Sequence, residues 1–286
     1  MIKIFTNLID FAHYRNSLTN QTIGLVPTMG NLHVGHISLI EQATKDNDVT
    51  IVTIFVNPKQ FGPNEDFEKY PRTLDEDLRK ISAVALLIDA KKDLVVFAPR
   101  TEDCIYPKGF STIVSVGAMT QKLEGSARPT HFDGVTTVVY RLFTITKAHI
   151  AYFGQKDVQQ CLIIKKMVQD LNIFIKIKIM PIVRNSEGLA LSSRNQYLSD
   201  TEGMKAMILP HTILKIEKMI LAKEDYKYFV EKALETDKNW DYLEILDSSN
   251  LERPINATNE LVIVAAYRIG STRLLDNILV QIKEGK

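Results

Sequence analysis

The chain has 286 residues, enough for one large domain or two smaller ones, and its 45% hydrophobic and 24% charged content is ordinary for a globular protein. A formal net charge of +1 argues against an extended nucleic-acid footprint. Cys104 and Cys161 fall in no Cys-x-x-Cys pattern, the stretch Met1–Asn7 lacks a signal-peptide core and no apolar run reaches membrane-spanning length, so a cytoplasmic protein without a disulfide framework is expected.

The first informative stretch runs from Gly24 to His36. Ile23 to Val26 reads as a buried strand bounded by Gly24 and Pro27, and His36 to Ala43 has the apolar spacing of a helix start. His33 and His36 therefore sit where a strand hands over to a helix. Unpaired backbone N–H groups and the positive end of the helix dipole meet there, which suits phosphate. Two imidazoles at that point can donate to phosphate oxygens as negative charge develops on a departing pyrophosphate. Gly35 leaves room for a nucleotide against the backbone. A His pair at a helix start is as often a cap or a surface feature, so the motif alone does not decide. Zinc is the rival ligand, but no cysteine or carboxylate cluster nearby completes a shell.

Val49 to Val56 is a β-branched run expected to form a strand buried on both faces. The irregular segment 57–71 that follows carries Phe61, Phe67 and Tyr70 and is expected to be ordered and functional. Thr73 to Ile88 reads as a helix whose Asp75-Glu76-Asp77 run is most simply a solvated first turn, with magnesium contact a minor reading. A strand over Leu94–Phe97, a helix over Gly134–Lys147, a strand over Ala148–Phe153, a helix over Val158–Leu171 and a long strand over Ile173–Val183 complete the alternation. It predicts an α/β fold: a Rossmann-like, doubly wound, mostly parallel sheet with ligands outside the carboxyl ends of its strands. His33, His36, Asn57 to Gln60, Gly154 to Asp157 and Arg184 onward all follow strand ends and should gather on one side. Neither a Gly-x-Gly-x-x-Gly fingerprint nor a Gly-x4-Gly-Lys-[Ser/Thr] loop occurs, which weakens dehydrogenase and P-loop kinase readings.

After Arg194 the pattern changes. Ser199 to Glu202 is a capping-box signature, helical patterns cover roughly 200–236, and strand candidates lie at Tyr242–Leu246 and Leu261–Ala266. The reading is a nucleotide-binding domain over 1–183 and a smaller α+β lid domain over 184–286. Within the boundary region, Ser192-Ser193-Arg194 suits polyphosphate oxygens, with a plain turn as the bland alternative. Lys156 is a phosphate partner or a surface lysine. Asp157 orients a ribose hydroxyl, supports magnesium, or caps the helix at Val158.

The combination is more specific than its parts. A His-x-Gly-His at the first strand–helix junction with a Ser-Ser-Arg stretch beyond the last strand resembles the paired signatures of the nucleotidyl-transferring superfamily, in whose class I aminoacyl-tRNA synthetases Lys-Met-Ser-Lys-Ser takes the second role. Over nearly its full length the chain resembles the pantoate–β-alanine ligase family. The matching stretches are Pro27–His36, Phe55–Phe61, Tyr70–Thr73, Leu123–Gly125, Arg128-Pro129, Phe153–Asp157 with Gln159-Gln160, Gly188–Leu198 and Thr272–Asn277. Gln155 stands where the family commonly has Glu, Leu191 where it has Met, and Thr130 where Gly usually follows Arg-Pro.

The resemblance implies an AMP-forming C–N ligase of pantothenate biosynthesis. Pantoate is activated with ATP to a bound pantoyl adenylate, and β-alanine displaces AMP. It further implies ATP contacts from Met29, Gly30, His33, Gly35, His36, Gly154, Gln155, Lys156, Asp157, Val183, Leu191, Ser192, Ser193 and Arg194. Of these, His33, His36, Lys156, Ser192, Ser193 and Arg194 act in catalysis. Gln60, Gln160 and Met29 would receive pantoate, Mg2+ would accompany ATP through ligands the sequence does not identify, and a homodimer is expected. No nucleic acid or membrane partner is expected. The alternative is another nucleotidyltransferase of the same superfamily.

Overall fold

The computed structural model describes residues 2–63, 65, 67–192, 195, 197–270 and 272–282. The chain divides into two compact units, Met1–Gly154 with Gln159–Met180, and Gln155–Val158 with Pro181–Lys286.

In the first unit the strands are β1 (Lys3–Phe5), β2 (Ile23–Thr28), β3 (Val49–Ile54), β4 (Asp93–Phe97), β5 (Ile150–Gly154) and β6 (Lys176–Met180). The helices are α1 (Leu8–Ser17), α2 (Val34–Asp46), α3 (Leu74–Ala85), α4 (Glu124–Ala127), α5 (His131–Thr146) and α6 (Val158–Asp170). The strands form one parallel sheet in the order β1-β4-β3-β2-β5-β6. This is the doubly wound sheet that the alternation predicts.

Strand periodicity divides the core between two faces. Leu25, Ile51 and Val95 pack with Val135 and Leu142 of α5 and Ile164 of α6. Their neighbours Val26, Val52 and Val96 pack with Leu39 and Ile40 of α2 and Ile81 of α3. That is why β3 reads as an uninterrupted β-branched run, since both of its faces are covered. Each such aliphatic side chain, fully removed from water, contributes about 2 kcal/mol before entropy is counted.

Strand order reverses between β2 and β5. These strands pair only at Gly24↔Ile150 and Leu25↔Ala151, while β2 follows β3 as far as Thr28↔Ile54. Pro27 has no N–H with which to extend the β5 ladder. The two strands therefore part toward their carboxyl ends, leaving the crevice in which doubly wound sheets take ligands.

Several element boundaries differ from expectation: the strand expected to Val56 ends at Ile54, the helix expected to Ile88 ends at Ala85, and the strand expected over Ala148–Phe153 spans Ile150–Gly154. The helix expected from Gly134 begins at His131. The strand expected over Ile173–Val183 is confined to Lys176–Met180: the Ile175 N–H turns back to the Ile173 carbonyl, and Pro181 follows.

The second unit packs α7 (Asp200–Ala206), α8 (Ile208–Leu221) and α9 (Tyr226–Thr236) with an antiparallel sheet of β7 (Trp240–Asp247), β8 (Glu260–Ile269) and β9 (Thr272–Gln281). Leu209, Ile213 and Ile216 of α8 meet Leu243, Ile263, Ala265 and Leu274 in its core. The Ser199–Glu202 capping box opens α7 as the sequence predicts. Strand β9 is additional to the two strands anticipated. Among the described residues no helix is long and apolar enough to cross a membrane, and Cys104 and Cys161 are both free thiols.

Candidate active site

At the end of β2, Thr28 donates its hydroxyl to the Thr53 carbonyl at 2.8 Å and accepts the Gly30 N–H at 3.2 Å. The chain then turns through two left-handed residues, Gly30 (φ 84°) and Asn31 (φ 50°). A side chain on Gly30 would meet Asp77 Oδ2 and Ile54, besides being strained by its φ. The buried Leu32 follows, and His33 becomes the N-cap of α2.

The histidines form a reciprocal cap. His33 Nδ1 accepts the Gly35 N–H at 3.1 Å, and His36 Nδ1 accepts the His33 N–H at 3.3 Å. In each neutral ring the proton therefore resides on Nε2, which makes Nε2 the donor nitrogen. The ring centroids lie 4.1 Å apart, so both donors serve one small region. The space that a Cβ on Gly35 would take lies 2.9 Å from the His33 ring. Glycine there lets the ring fold back onto its own helix start, a requirement additional to the expected nucleotide approach.

The segment after β3 is ordered where described, with 3-10 turns over Pro58–Gln60 and Phe67–Lys69. Asn57, 1% exposed, ties it down: Nδ2 donates to Gly134 O and Gln60 Oε1, while Oδ1 accepts from Tyr106 Oη at 2.8 Å. Burial pushes the Tyr106 phenol well above its ordinary pKa, so it stays a donor. Gly134 lets α5 approach closely, since a Cβ there would strike the Lys59 carbonyl. Gln60 is 8% exposed, and its Nε2 lies 2.9 Å from Met29 Sδ. The structure thus brings Gln60 and Met29 together. The Gln60 backbone carbonyl meets His131 Nδ1 at 2.8 Å and accepts from Arg128 Nη2 at 3.3 Å. Arg128 also pairs with Glu65, and that hydrogen bond holds the Glu65 carboxyl below its ordinary value. Phe61 packs edge-on against Phe67 and Tyr70, as their presence suggested.

Of the adjacent glutamines, Gln159 is buried as a clamp. It accepts the Glu124 N–H and donates to the carbonyls of Met119 and Lys122. Gln160 is half-buried. Thr130, at the start of α5, takes φ 71°, the left-handed region that favours the family's common glycine. A cavity of about 430 Å³ in this unit, lined by Ser115, Thr120, Gln121, Ser126, Thr130 and Asp133, contains none of the predicted site residues.

The main correction concerns Asp77. The Asp75-Glu76-Asp77 run is expected in a solvated turn, yet Asp77 is 0% exposed and accepts the N–H groups of Asn31 and Leu32. Its spacing to Ile81 and Val84, which are also buried, puts it on the inner face of α3. That periodicity is the signal by which it can be found.

In the second unit, Gln155 Nε2 donates to Asn277 Oδ1, and Asn277 Nδ2 donates to the carbonyls of Gln155 and Lys156. Gln155 fills its position through an amide pair that a Glu carboxylate would not reproduce in the same sense. Lys156 Nζ lies 3.2 Å from Asp157 Oδ1. Asp276, 2% exposed, receives both terminal nitrogens of Arg184 at 2.7 and 2.9 Å, and Arg184 also donates to Gly188 O. Leu191 N bonds to Val183 O, closing a hairpin that delivers Ser192, which is half-buried. Ser193 and Arg194 lie outside the described residues.

The chain matches the profile of the pantoate-beta-alanine ligase family over residues 3–279. A pantothenate synthetase of Acetivibrio thermocellus is 46% identical over 269 residues, covering 92% of each chain. One of Roseiflexus castenholzii is 46% identical over 286 residues, covering 98% of this chain and 100% of that one. Among solved structures, the pantothenate synthetase of Thermus thermophilus superposes with a TM-score of 0.84 at 36% identity, over 96% of this chain and 98% of that one. The Francisella tularensis pantoate-beta-alanine ligase, solved with a β,γ-ATP ligand and β-alanine, gives 0.74 at 38% identity over 98% of both.

Proposed function

Because the chain belongs to the pantoate-beta-alanine ligase family, we infer that it condenses pantoate with β-alanine at the expense of ATP, through a pantoyl adenylate. The structural observation that supports this most is the reciprocal His33–His36 cap, which sets both imidazoles as Nε2 donors at the switch point of the sheet.

In the first half-reaction a pantoate carboxylate oxygen attacks the α-phosphorus of ATP. The bond from that phosphorus to the bridging oxygen breaks, and pyrophosphate leaves with the electron pair. The carboxylate is already a nucleophile, so no general base is required. Negative charge grows on the β- and γ-phosphates, and His33 and His36 stabilise it by donation from Nε2. Lys156, Ser192, Ser193 and Arg194 are assigned as further donors. In the second half-reaction the β-alanine amine attacks the acyl carbon, AMP leaves, and the nitrogen loses its proton. The mixed anhydride between the two steps must be kept from water; segment 57–71 and the C-terminal part, 184–286, are assigned as its covers.

Gln60, Gln160 and Met29 are assigned to pantoate: amides for its hydroxyls, the thioether for its methyl groups. The contact of Gln60 with Met29 supports that grouping. The remaining nucleotide contacts are assigned to Gly30, Gly35, Gly154, Gln155, Asp157, Val183 and Leu191 by family resemblance. Among the described residues no three His, Cys, Asp or Glu side chains cluster to hold a metal, and both Asp77 oxygens already accept N–H groups. The described residues offer no cage for Mg2+, which we therefore treat as part of the ATP substrate.

A cytoplasmic homodimer completes the reading, on resemblance. Ile105 and Tyr106 belong to the core, whereas Ile113 is 70% exposed and available to a partner. Light scattering that shows a monomer at micromolar concentration would overturn the dimer. For the reaction, incubation with ATP, Mg2+, pantoate and β-alanine should yield AMP, pyrophosphate and pantothenate. Release of ADP and inorganic phosphate would indicate an acyl phosphate instead.

A further inference from the structure

Asp77 touches no reacting group in the chemistry above, yet its carboxylate is wholly buried and fully used. Oδ1 accepts the Leu32 N–H at 2.7 Å, and Oδ2 accepts the Asn31 N–H at 2.9 Å and the Thr73 hydroxyl at 3.2 Å. One turn along α3, Lys80 Nζ donates to the Leu32 carbonyl at 2.7 Å. Helix α3 thus grips the peptide groups on both sides of Leu32, the residue immediately before the His33 cap.

The turn has reason to need that grip. Asn31 is a non-glycine residue with φ 50° following Gly30 at φ 84°, a conformation that local sterics disfavour. Two successive N–H groups pointing into one carboxylate hold it open. A carboxylate accepts at both oxygens, whereas an amide of the same shape presents one acceptor and turns an NH2 group against one of the N–H donors.

We propose that Asp77 is a positioning residue for adenylation: through the amides of Asn31 and Leu32 it fixes the turn that sets the His33–His36 cap, and so the register of both Nε2 donors. This rests on the adenylation role inferred for the two histidines. The effect belongs to the rate more than to affinity, because a misplaced donor forfeits stabilisation of charge that appears only as pyrophosphate departs.

The test uses the full chain and pantoate-dependent exchange of pyrophosphate into ATP, comparing Asp77→Asn in the wild-type and His36→Ala backgrounds. Asp77→Asn should slow the saturated exchange by roughly tenfold or more while changing the KM for ATP by less than about threefold. In the His36→Ala background the further loss should be clearly smaller, because the reciprocal cap is already broken and one of the two donors through which Asp77 acts is gone. Thr73→Val removes only one donor to Oδ2; it should fold normally and slow exchange by roughly two- to fivefold, and it decides the matter if Asp77→Asn does not fold. An equal loss in both backgrounds, or none in either, would overturn the positioning role. Nitrogen-15 spectra of the imidazoles test the same point without turnover. In Asp77→Asn, or in Thr73→Val if the former does not fold, the His33 and His36 signals should move and those of His13, His149 and His211 should not. Unmoved His33 and His36 signals would count against the proposal. Absence of exchange in the wild-type protein would instead mark failure of the adenylation reading.

Discussion

The two loops assigned to phosphate are each held by one buried carboxylate, but by different chemistry. In the first unit Asp77 accepts backbone N–H groups directly and Lys80 donates to the Leu32 carbonyl, so the turn before His33 is held at its own peptide groups. In the second, Asp276 holds a guanidinium, and Arg184 carries the restraint onward to the Gly188 carbonyl. The first arrangement fixes each peptide group with one bond and tolerates little change of shape. The second uses a bidentate ion pair, which is strong but depends on keeping both charges. A loop that must place donors for a transition state is thereby gripped at its backbone, while one held through a long side chain keeps more freedom between anchor and tip.

Four changes sharpen or break this comparison. The largest effect is expected from His36→Ala, which removes a donor from the first loop. Its saturated adenylation rate should fall by about 10²–10³, roughly 3–4 kcal/mol of barrier, with the KM for ATP nearly unchanged. A variant that lost ATP affinity at an undiminished saturated rate would show that the imidazole serves binding alone. Asp276→Ala comes next. It leaves the Arg184 guanidinium without its carboxylate and should cost about 3 kcal/mol of stability. Trp240, the chain's only tryptophan, is buried in β7 and reports urea unfolding of that unit. An unshifted midpoint would mean that the ion pair does not anchor the hairpin.

Gln60→Ala should raise the KM for pantoate by about tenfold or more and leave that for ATP in place, because a site shaped for a hydroxyl suffers when its polar partner is lost. Unaltered pantoate kinetics would place the glutamine outside the site. The smallest effect concerns Glu65, whose hydrogen bond from Arg128 holds its carboxyl below the ordinary value. The pairing is present above the ordinary carboxylate pKa and is lost as pH falls through the depressed one. Being partly exposed, it should contribute less than about 1 kcal/mol. The stability difference between wild type and Glu65→Gln should therefore vanish on acidification; a difference that grew would contradict the sign.

The sheet and the histidine pair were legible because their signals are local. β2 opens as a short apolar run, β3 is an uninterrupted β-branched one, and His33 and His36 fall at the junction between the end of β2 at Thr28 and the helical spacing after His36. Residues that act across the chain left weaker traces. Asp77 lay in an acidic first turn, where the helix dipole alone accounts for a carboxylate, and only its spacing to Ile81 and Val84 separates it from Asp75 and Glu76. β9 was hidden because Asp276 and Asn277 place two buried polar residues between its apolar pairs Leu274-Leu275 and Ile278-Leu279. Their partners, Arg184, Gln155 and Lys156, are more than ninety positions away. Local periodicity carries no information about such pairs.

The role inferred for the first loop is to stabilise pyrophosphate as it leaves ATP during activation of pantoate. Labelled pyrophosphate, incubated with the protein, ATP, Mg2+ and pantoate but no β-alanine, measures this directly. Label should enter ATP only when pantoate is present, because adenylate formation is reversible and needs no amine. Exchange that required β-alanine, or no label in ATP from a protein that makes pantothenate once β-alanine is supplied, would contradict it.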